Sequence, residues 1–509
     1  MVFQSMLTGL PNAEIKLNHN EPNFFADLNL DLIIEGISKK HEKYGVKALL
    51  MTPLSKTEDI KYRQEVFTDL EVHDTLDAIR VFSDEMKSVL VRISSLSDLF
   101  DIQREGKLLD SAKAYSVSLR KLLDALRKAE VKSVALRGFK DYLETYFSSG
   151  TFQDLETDIE EAEGRVSSIA YYLIIKSGRV TVRRPDSDTL DYSNEVLNVF
   201  SKFKETQHEP IKPKSGRSYG IGHVQAEVLK LLEKVYPEEF KKLREFSSVH
   251  QEFVDNTILR VFNEMQFYLA YIEYLEAPKR VGLSFCTPEF TEDKNIEVNS
   301  SFDLALAVKL SKANKSVIPN DLHLESKERI LVITGPNNGG KTTFSRSIGQ
   351  VFYLASLGLP VPGTKATITL QDNIFTHFER SEKIENLRGK LEDDLLRIHN
   401  IIENCTDRSV VIINEMLSST TVGDATSIGK KILQLIVKRD CLCVFVTFLD
   451  EFSNFGTAVS MVAQVEAENP EIRTHRIIRE PSNGLVYAIA LAHKHKISYQ
   501  DIRERIGYG

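Results

Sequence analysis

A glycine-rich segment constrains this chain more than any other part of its sequence. Residues 331–343 read Leu-Val-Ile-Thr-Gly-Pro-Asn-Asn-Gly-Gly-Lys-Thr-Thr. The pattern G-x-x-x-x-G-K-[ST] is met by Gly335, Gly340, Lys341 and Thr342. Glycines at this spacing let successive backbone N–H groups point at one anion. An apolar run before the segment predicts a buried strand, and residues 343–350 predict a helix. The segment therefore predicts a site for a nucleoside triphosphate.

The same loop predicts individual contacts to ATP and Mg²⁺. We expect Lys341 to bind the outer phosphates as a point charge and to take part in catalysis, and the Thr342 hydroxyl to hold Mg²⁺. The predicted nucleotide-binding residues are Gly335, Pro336, Asn337, Asn338, Gly339, Gly340, Lys341, Thr342 and Thr343.

A second apolar run ends in polar residues that suit the same chemistry. Residues 409–415 read Ser-Val-Val-Ile-Ile-Asn-Glu, and Glu415 is the predicted general base that polarises water. Asn414 is predicted to bind Mg²⁺ weakly through a water molecule, because an amide carries no charge. Asp424 follows in a polar loop and is a further candidate for the metal. Its alternative role is to cap a helix.

Length and composition narrow the class of protein. With 509 residues the chain is long enough for several domains, and its net charge of −8 argues against nucleic-acid binding by the surface as a whole. No stretch has the apolar length of a membrane span, and no basic signal-peptide start is present, so we expect a cytoplasmic protein. Cys441 and Cys443 are a possible metal pair, but buried thiols are the favoured reading.

The N-terminal half is predicted to be helical. Apolar residues recur at helical spacing at Ile79, Phe82, Met86, Val89, Leu90 and Ile93. Pro278 and Pro288 are expected to mark the joint to the second half, where strands alternate with helices as in a parallel sheet.

A basic hairpin interrupts the helical half. Two β-branched runs flank Ser177 and Gly178, which predicts a hairpin followed by a loop-rich segment. Its cationic side chains, Lys176, Arg179, Arg183 and Arg184, are candidates for contact with a DNA backbone. Acidic residues are interleaved beyond it, so on these residues alone a solvated loop is slightly favoured.

These motifs together resemble the MutS mismatch-repair ATPases. Thr-Gly-Pro-Asn before the glycines, the run at residues 404–415 and the Ser/Thr-rich loop to Asp424 are similar to that family. Residues 317–321 match a segment that precedes the family's first strand, and weaker similarity covers the helical residues 52–54, 63–66 and 484–505. The resemblance implies an α+α/β multidomain fold. Residues 1–280 would form a helical core or lever domain with a small clamp-like insertion at about 171–222. Residues 281–509 would form an ABC-type P-loop ATPase domain with C-terminal dimerisation helices.

The resemblance also implies partners. ATP would lie between the subunits of a homodimer that closes on mismatched, branched or otherwise altered DNA, which raises the expectation that the basic hairpin binds DNA. The protein would be nucleoid-associated when bound. The family's mismatch-recognition and connector domains are expected to be absent, and so is a nuclease-like domain after Gly509.

Departures from the family pattern predict slow turnover. Phe448 stands where the family has a histidine, Gly389 stands where it has a serine contributed across the dimer, and with the neutral Asn414 each removes part of the usual catalytic set. Val317 stands where the family has an aromatic residue against adenine, which would weaken stacking. Arg388 or Lys390 is a candidate for supplying charge across the dimer. Two functions therefore stay open: an ATP-hydrolysing DNA clamp, and an ATP-gated DNA-binding or structural clamp with little or no hydrolysis. A kinase using the same loop would leave the helical half unexplained.

Overall fold

The computed structural model describes residues 3, 5–9, 17–176, 179–185, 223–325, 327–379, 389–417, 419–466, 472–482 and 497–506. In chain order the helices are α1 (Phe24–Leu28), α2 (Leu30–Ser38), α3 (Val46–Leu50), α4 (Thr57–Leu70), α5 (His73–Ser94), α6 (Asp101–Lys128), α7 (Val134–Phe147), α8 (Gly150–Ser167), α9 (His223–Val235), α10 (Pro237–Val249), α11 (Asn256–Arg280), α12 (Leu304–Ser311), α13 (Lys341–Ser356), α14 (Lys390–Asn404), α15 (Val422–Arg439) and α16 (Tyr499–Ile506). The strands are β1 (Tyr172–Lys176), β2 (Arg179–Arg183), β3 (Phe285–Cys286), β4 (Glu289–Phe290), β5 (Ile296–Ser301), β6 (Asn320–Leu324), β7 (Ile330–Thr334), β8 (Val361–Pro362), β9 (Lys365–Ile368), β10 (Ile374–Phe378), β11 (Val410–Asn414), β12 (Leu442–Val446), β13 (Ala458–Val465) and β14 (Arg473–Arg479).

The chain divides into two compact units. The first comprises Met1–Phe3, Val72–Val131 and Arg137–Phe262. The second comprises Gln4–Glu71, Lys132–Leu136 and Asn263–Gly509. The mixture of helices and sheets agrees with the predicted fold class, whereas the predicted domain boundaries, the lever and the clamp remain predictions.

The first unit is mainly helical because its apolar residues repeat at helical spacing. Helix α6 buries one stripe made of Leu108, Ala112, Tyr115, Leu119, Leu122 and Leu126. Helices α5, α8 and α10 pack against α6. The predicted hairpin is confirmed, since β1 and β2 pair antiparallel from Tyr172 with Arg183 to Lys176 with Arg179. Residues 186–222 of the predicted insertion lie outside the described part of the chain.

The second unit is built on a six-stranded sheet with the order β10-β11-β12-β7-β13-β14. Strands β10 to β13 and β7 run parallel, and β14 runs antiparallel to β13. Every residue of β7, β11 and β12 is buried, as expected for central parallel strands between helices. Asn414 pairs with Val446, and Val446 pairs with Ile333, so these three strands end at the same edge of the sheet.

A fully buried arginine ties together three segments of this unit. Arg63 on α4 donates from Nε to the Leu7 carbonyl oxygen (3.1 Å) and from Nη1 to the Leu357 carbonyl oxygen (3.0 Å). Its guanidinium lies 5.2 Å from the centre of the Phe267 ring. Burying an arginine is tolerable only with such partners. Residues 63–66, part of the family resemblance, therefore include a structural anchor.

Pro278, which was expected near the joint between the halves, lies inside α11, and that helix continues to Arg280. A proline in a helix removes one N–H donor and bends the axis, and it does not have to end the helix. Within the described residues, no helix combines the length and the apolar character needed to cross a membrane.

Candidate nucleotide-binding site

The phosphate loop, residues 335–343, connects the end of β7 to the start of α13 as predicted. Gly335 has φ +120°, and a Cβ atom there would lie 2.9 Å from the Ala463 carbonyl oxygen. Gly340 has φ +96° and precedes the first residue of α13. Only glycine adopts these conformations without strain. Two glycines of the motif are therefore required by the backbone, independently of any ligand.

The loop forms one wall of a cavity of about 820 Å³. Loop residues 337–343 line it together with Glu415, Phe448 and His475, and Phe302, Asp303 and Val317 contribute to the remaining wall. Helix α13 begins at this cavity, and the first N–H groups of a helix have no partner within the helix. Those donors and the positive end of the helix dipole make this end of the cavity a favourable place for an anion.

Lys341 is folded back onto its own loop. Its Nζ donates to the carbonyl oxygens of Gly335 (2.9 Å) and Pro336 (3.1 Å). The side chain is deeply buried, and this burial lowers the pKa of its ammonium group, while the nearby Glu415 carboxylate acts in the opposite direction. Lys341, which is predicted to bind phosphate, thus lines the cavity, and its ammonium group is hydrogen-bonded to carbonyl oxygens of the loop.

The predicted metal residues Thr342 and Asn414 lie side by side. The Thr342 hydroxyl donates to Oδ1 of Asn414 at 2.9 Å, which joins the start of α13 to the end of β11. Both groups are oxygen donors, as Mg²⁺ requires, but neither carries a charge. The donor set therefore fits a weakly held Mg²⁺ ion.

Glu415 leaves the sheet in a left-handed conformation, with φ 56°. Its N–H donates to the Val446 carbonyl oxygen (3.0 Å), which holds the backbone while the side chain faces the cavity. Burial raises the pKa of the Glu415 carboxyl, Lys341 opposes that shift, and Glu379 adds to it. A base beside a phosphate site with a raised pKa suits proton transfer.

Asp424 lies in the first turn of α15. Its backbone N–H donates to the Thr421 hydroxyl (3.2 Å), and that hydroxyl donates to the Asp424 carboxylate (2.8 Å). The helix-capping role considered from the sequence is therefore present, although Thr421 is the capping residue. Among the described residues, Asp424 is not part of the cavity lining. Its role as a metal ligand remains a prediction.

The sequence did not identify the residues that β14 contributes to the site. Arg473 donates from Nε to the Asn337 carbonyl oxygen at 3.0 Å, which supports the crest of the phosphate loop. His475 lines the cavity, and its carbonyl oxygen accepts from the Asn320 side chain (3.1 Å). The only sequence signal is the basic character of Arg-Thr-His-Arg at residues 473–476.

The three departures from the family pattern have definite positions. Val317 is buried and lines the cavity, and Phe448 lines it with its ring centre 4.5 Å from Lys341 Nζ. Gly389 precedes α14, where a Cβ atom would meet open space. Arg388 and the Lys390 side chain lie outside the described part of the structure.

The basic hairpin belongs to the first unit, and its arginines differ in their surroundings. Arg183 is exposed. Arg184 donates from Nε to the Val235 carbonyl oxygen (3.1 Å), and its guanidinium lies 4.4 Å from the centre of the Tyr236 ring. The backbones of Lys176 and Arg179 pair with each other, while their side chains lie outside the described part of the structure.

The second unit also buries a group of cysteines. Cys441 and Cys405 have their sulfur atoms 3.9 Å apart, and Cys443 is buried beside them in the core. Burial raises the pKa of the Cys441 and Cys443 thiols, which keeps them protonated. These properties agree with the interpretation that the thiols act as small apolar side chains.

Known proteins that are similar to this chain belong to the MutS family, which the sequence motifs also resemble. Residues 331–500 match the model of MutS domain V. The DNA mismatch repair protein MutS of Thermotoga neapolitana is 24% identical over 458 residues, covering 80% of this chain and 55% of that protein. Those of Rickettsia bellii (31% over 200 residues) and Rickettsia typhi (30% over 206 residues) cover 38% and 39% of this chain, and 22% and 23% of their own lengths. The chain thus spans about half, or less, of the length of these relatives. The family model and these relatives support a MutS-family protein.

Proposed function

We propose that the cavity binds ATP with Mg²⁺ and that ATP binding controls the attachment of this protein to DNA. One observation carries the nucleotide part of the proposal: the phosphate loop, the Thr342–Asn414 contact and Glu415 meet at one cavity. The chain brings together a donor loop for phosphate, oxygen ligands for a metal and a base. The DNA part rests on the relatives, which are DNA mismatch repair proteins.

Binding uses the chain's own groups as follows. The N–H groups at the start of α13 receive the phosphates, and Lys341 moves from the Gly335 and Pro336 carbonyl oxygens to the outer phosphates. Thr342 would hold Mg²⁺, with Asn414 bonded to a metal-bound water. Mg²⁺ would neutralise charge that develops on the phosphate oxygens.

Hydrolysis is expected to be slow. Glu415 faces the cavity and accepts a proton from the attacking water, while the amide of Asn414 supplies no negative charge for the metal. Loss of one such electrostatic contact typically costs about 10²–10³ in rate, and some turnover survives. The protein would then be an ATPase with a low turnover rate.

The larger assembly is proposed from the family. Two copies of the chain would form a homodimer around two ATP molecules and close on mismatched, branched or otherwise altered DNA. In each site, Gly389 of the opposite subunit would face the nucleotide, with charge supplied by Arg388 or Lys390. The basic hairpin would contact the DNA backbone.

A pair of variants tests the enzymatic part. Single-turnover ATP hydrolysis is measured with and without duplex DNA for the wild type, Lys341→Ala and Glu415→Gln. Lys341→Ala should weaken ATP binding strongly without removing it and should lower phosphate release, and Glu415→Gln should retain binding while phosphate release falls at least about 10²-fold. Phosphate release that neither substitution affects would show that this cavity is not the ATPase site.

The second candidate function is an ATP-gated clamp with little or no hydrolysis. It is favoured by the neutral Asn414 next to Thr342 and by Phe448 in the cavity wall. The same assay separates the two functions. Tight retention of unhydrolysed ATP by the wild type, equal to that of Glu415→Gln, would establish the gated clamp.

A further inference from the structure

The Phe448 ring covers the ammonium group of Lys341, the residue that must bind phosphate. We propose that Phe448 holds Lys341 in its nucleotide-free position and competes with the phosphates of ATP for the ammonium group, and so sets the affinity for nucleotide. This inference rests on the proposed ATP site.

Two loop carbonyl oxygens and one aromatic ring lie around the ammonium group of Lys341. Its Nζ donates to the carbonyl oxygens of Gly335 (2.9 Å) and Pro336 (3.1 Å). An ammonium group has three donors. The remaining side of the group faces the Phe448 ring, whose centre lies 4.5 Å from Nζ. Lys341 is only 4% exposed, so the ring takes the place that water would otherwise occupy.

The backbone segment that carries the ring is anchored on both sides of Phe448. The Thr447 N–H donates to the Ile333 carbonyl oxygen (3.1 Å), and the Leu449 N–H donates to the Thr447 hydroxyl (3.1 Å). A short 3₁₀ helix, Asp450–Asn454, follows. Its Phe452 is buried against Phe445, with ring centres 5.2 Å apart. Phe448 is 52% exposed but is fixed at both ends of its short segment.

Competition follows from the position of the ring inside the cavity. Phe448 and Lys341 both line the space that the phosphates would enter. Lys341 has to leave the ring and the two carbonyl oxygens before it can extend to an outer phosphate. The population of the free lysine therefore scales the apparent affinity for ATP. A cation–ring contact of this kind corresponds to roughly 2- to 30-fold in affinity.

Substitutions at Phe448 in the whole 509-residue chain test the idea. The affinity for ATP is measured by calorimetric titration for the wild type, Phe448→Leu and Phe448→Tyr. Leucine keeps the apolar volume and removes the ring, so Phe448→Leu should bind ATP roughly 2- to 30-fold more tightly. Tyrosine keeps the ring, so Phe448→Tyr should match the wild type.

The same titrations in a Lys341→Met background show whether the effect passes through the lysine. The gain from Phe448→Leu should disappear there. Unchanged or weaker ATP binding by Phe448→Leu, or a gain that persists without the lysine, overturns the inference and leaves the proposed function standing. Wild-type protein that binds no ATP would overturn the proposed function, and this inference with it.

Discussion

At the residue scale, Asn414 places a neutral amide where the proposed magnesium site would gain most from a negative charge. Its Oδ1 accepts from the Thr342 hydroxyl, and the side chain is buried against the start of α13. A carboxylate there would lie close to the positive end of a helix and beside the metal. The Asn414 amide therefore keeps the hydrogen bond with Thr342 but supplies no negative charge.

We expect Asn414→Asp to restore that charge. Because Mg²⁺ carries two charges, a unit negative charge about 4 Å away contributes on the order of 2–8 kcal/mol, from water-like to protein-surface dielectric conditions. The Mg²⁺ concentration for half-maximal ATP hydrolysis should then fall about tenfold or more. Magnesium titration of ATPase activity measures this, with Asn414→Ala as the control that loses the Thr342 contact. An unchanged magnesium requirement in Asn414→Asp would contradict the assignment.

The raised pKa of Glu415 predicts how the rate of ATP hydrolysis changes with pH. Burial is the main reason why the pKa of its carboxyl lies above the ordinary value of 4.5. Only the ionised carboxylate accepts a proton, so the hydrolysis rate should rise with pH through the raised pKa and level off above it. Single-turnover rates across pH measure the profile. The residual rate of Glu415→Gln should lack this step, and an identical step in that variant would assign it to another group.

At the element scale, α13 is packed so closely that a Cβ atom at Gly349, near its middle, would require neighbouring side chains to move. A Cβ atom at Gly349 would lie 2.7 Å from Cδ1 of Leu28 and 2.8 Å from Cδ1 of Ile412. Leu28 ends α1, and Ile412 lies in β11. The helix that starts at the phosphate loop is therefore clamped between another helix and the sheet, which fixes the position of its N-terminus.

Gly349→Ala should destabilise the second unit by about 1–3 kcal/mol, because an added methyl group in a close-packed core forces its neighbours to move. The matched control is Gly423→Ala in α15, where a Cβ atom would meet nothing within 4 Å. Alanine is the better helix former, so the control should be neutral or stabilising by less than about 1 kcal/mol. Urea denaturation compares the two. Equal effects of the two substitutions would show that α13 has room to adjust.

Local patterns explain which elements of the site were predictable. β7, the phosphate loop, the start of α13 and β11 were predicted because apolar runs and a fixed glycine spacing identify them within short windows. The contribution of Arg473 and His475 could not be predicted in this way, because it depends on β13 lying next to β7 and on β14 lying next to β13. The Phe448–Lys341 contact likewise depends on the neighbouring positions of β12 and β7. Strand order in a sheet leaves no mark in a local sequence pattern.

At the scale of the whole molecule, a net charge of −8 requires that any DNA contact be local. The basic hairpin offers such a surface, but its two described arginines are not equivalent. Arg183 is exposed, whereas Arg184 holds the Val235 carbonyl oxygen and stacks on Tyr236. A loss of DNA affinity after substitution of Arg184 could come from a lost DNA contact or from the lost contacts with Val235 and Tyr236. Arg183 is therefore the better residue for testing the DNA contact.

We therefore expect Arg183→Ala to weaken DNA binding by a similar factor for duplex, mismatched, forked and four-way DNA. A phosphate contact carries no sequence information, and each one lost lowers the slope of log affinity against log salt by about 0.9. Fluorescence anisotropy at several salt concentrations, with and without ATP, measures both quantities. Lys47→Ala, an exposed charge on α3 in the second unit, is the control and should leave affinity and slope unchanged. An unchanged salt slope in Arg183→Ala would remove the hairpin from the DNA-binding surface, and a loss confined to one DNA form would show that the contact reads structure.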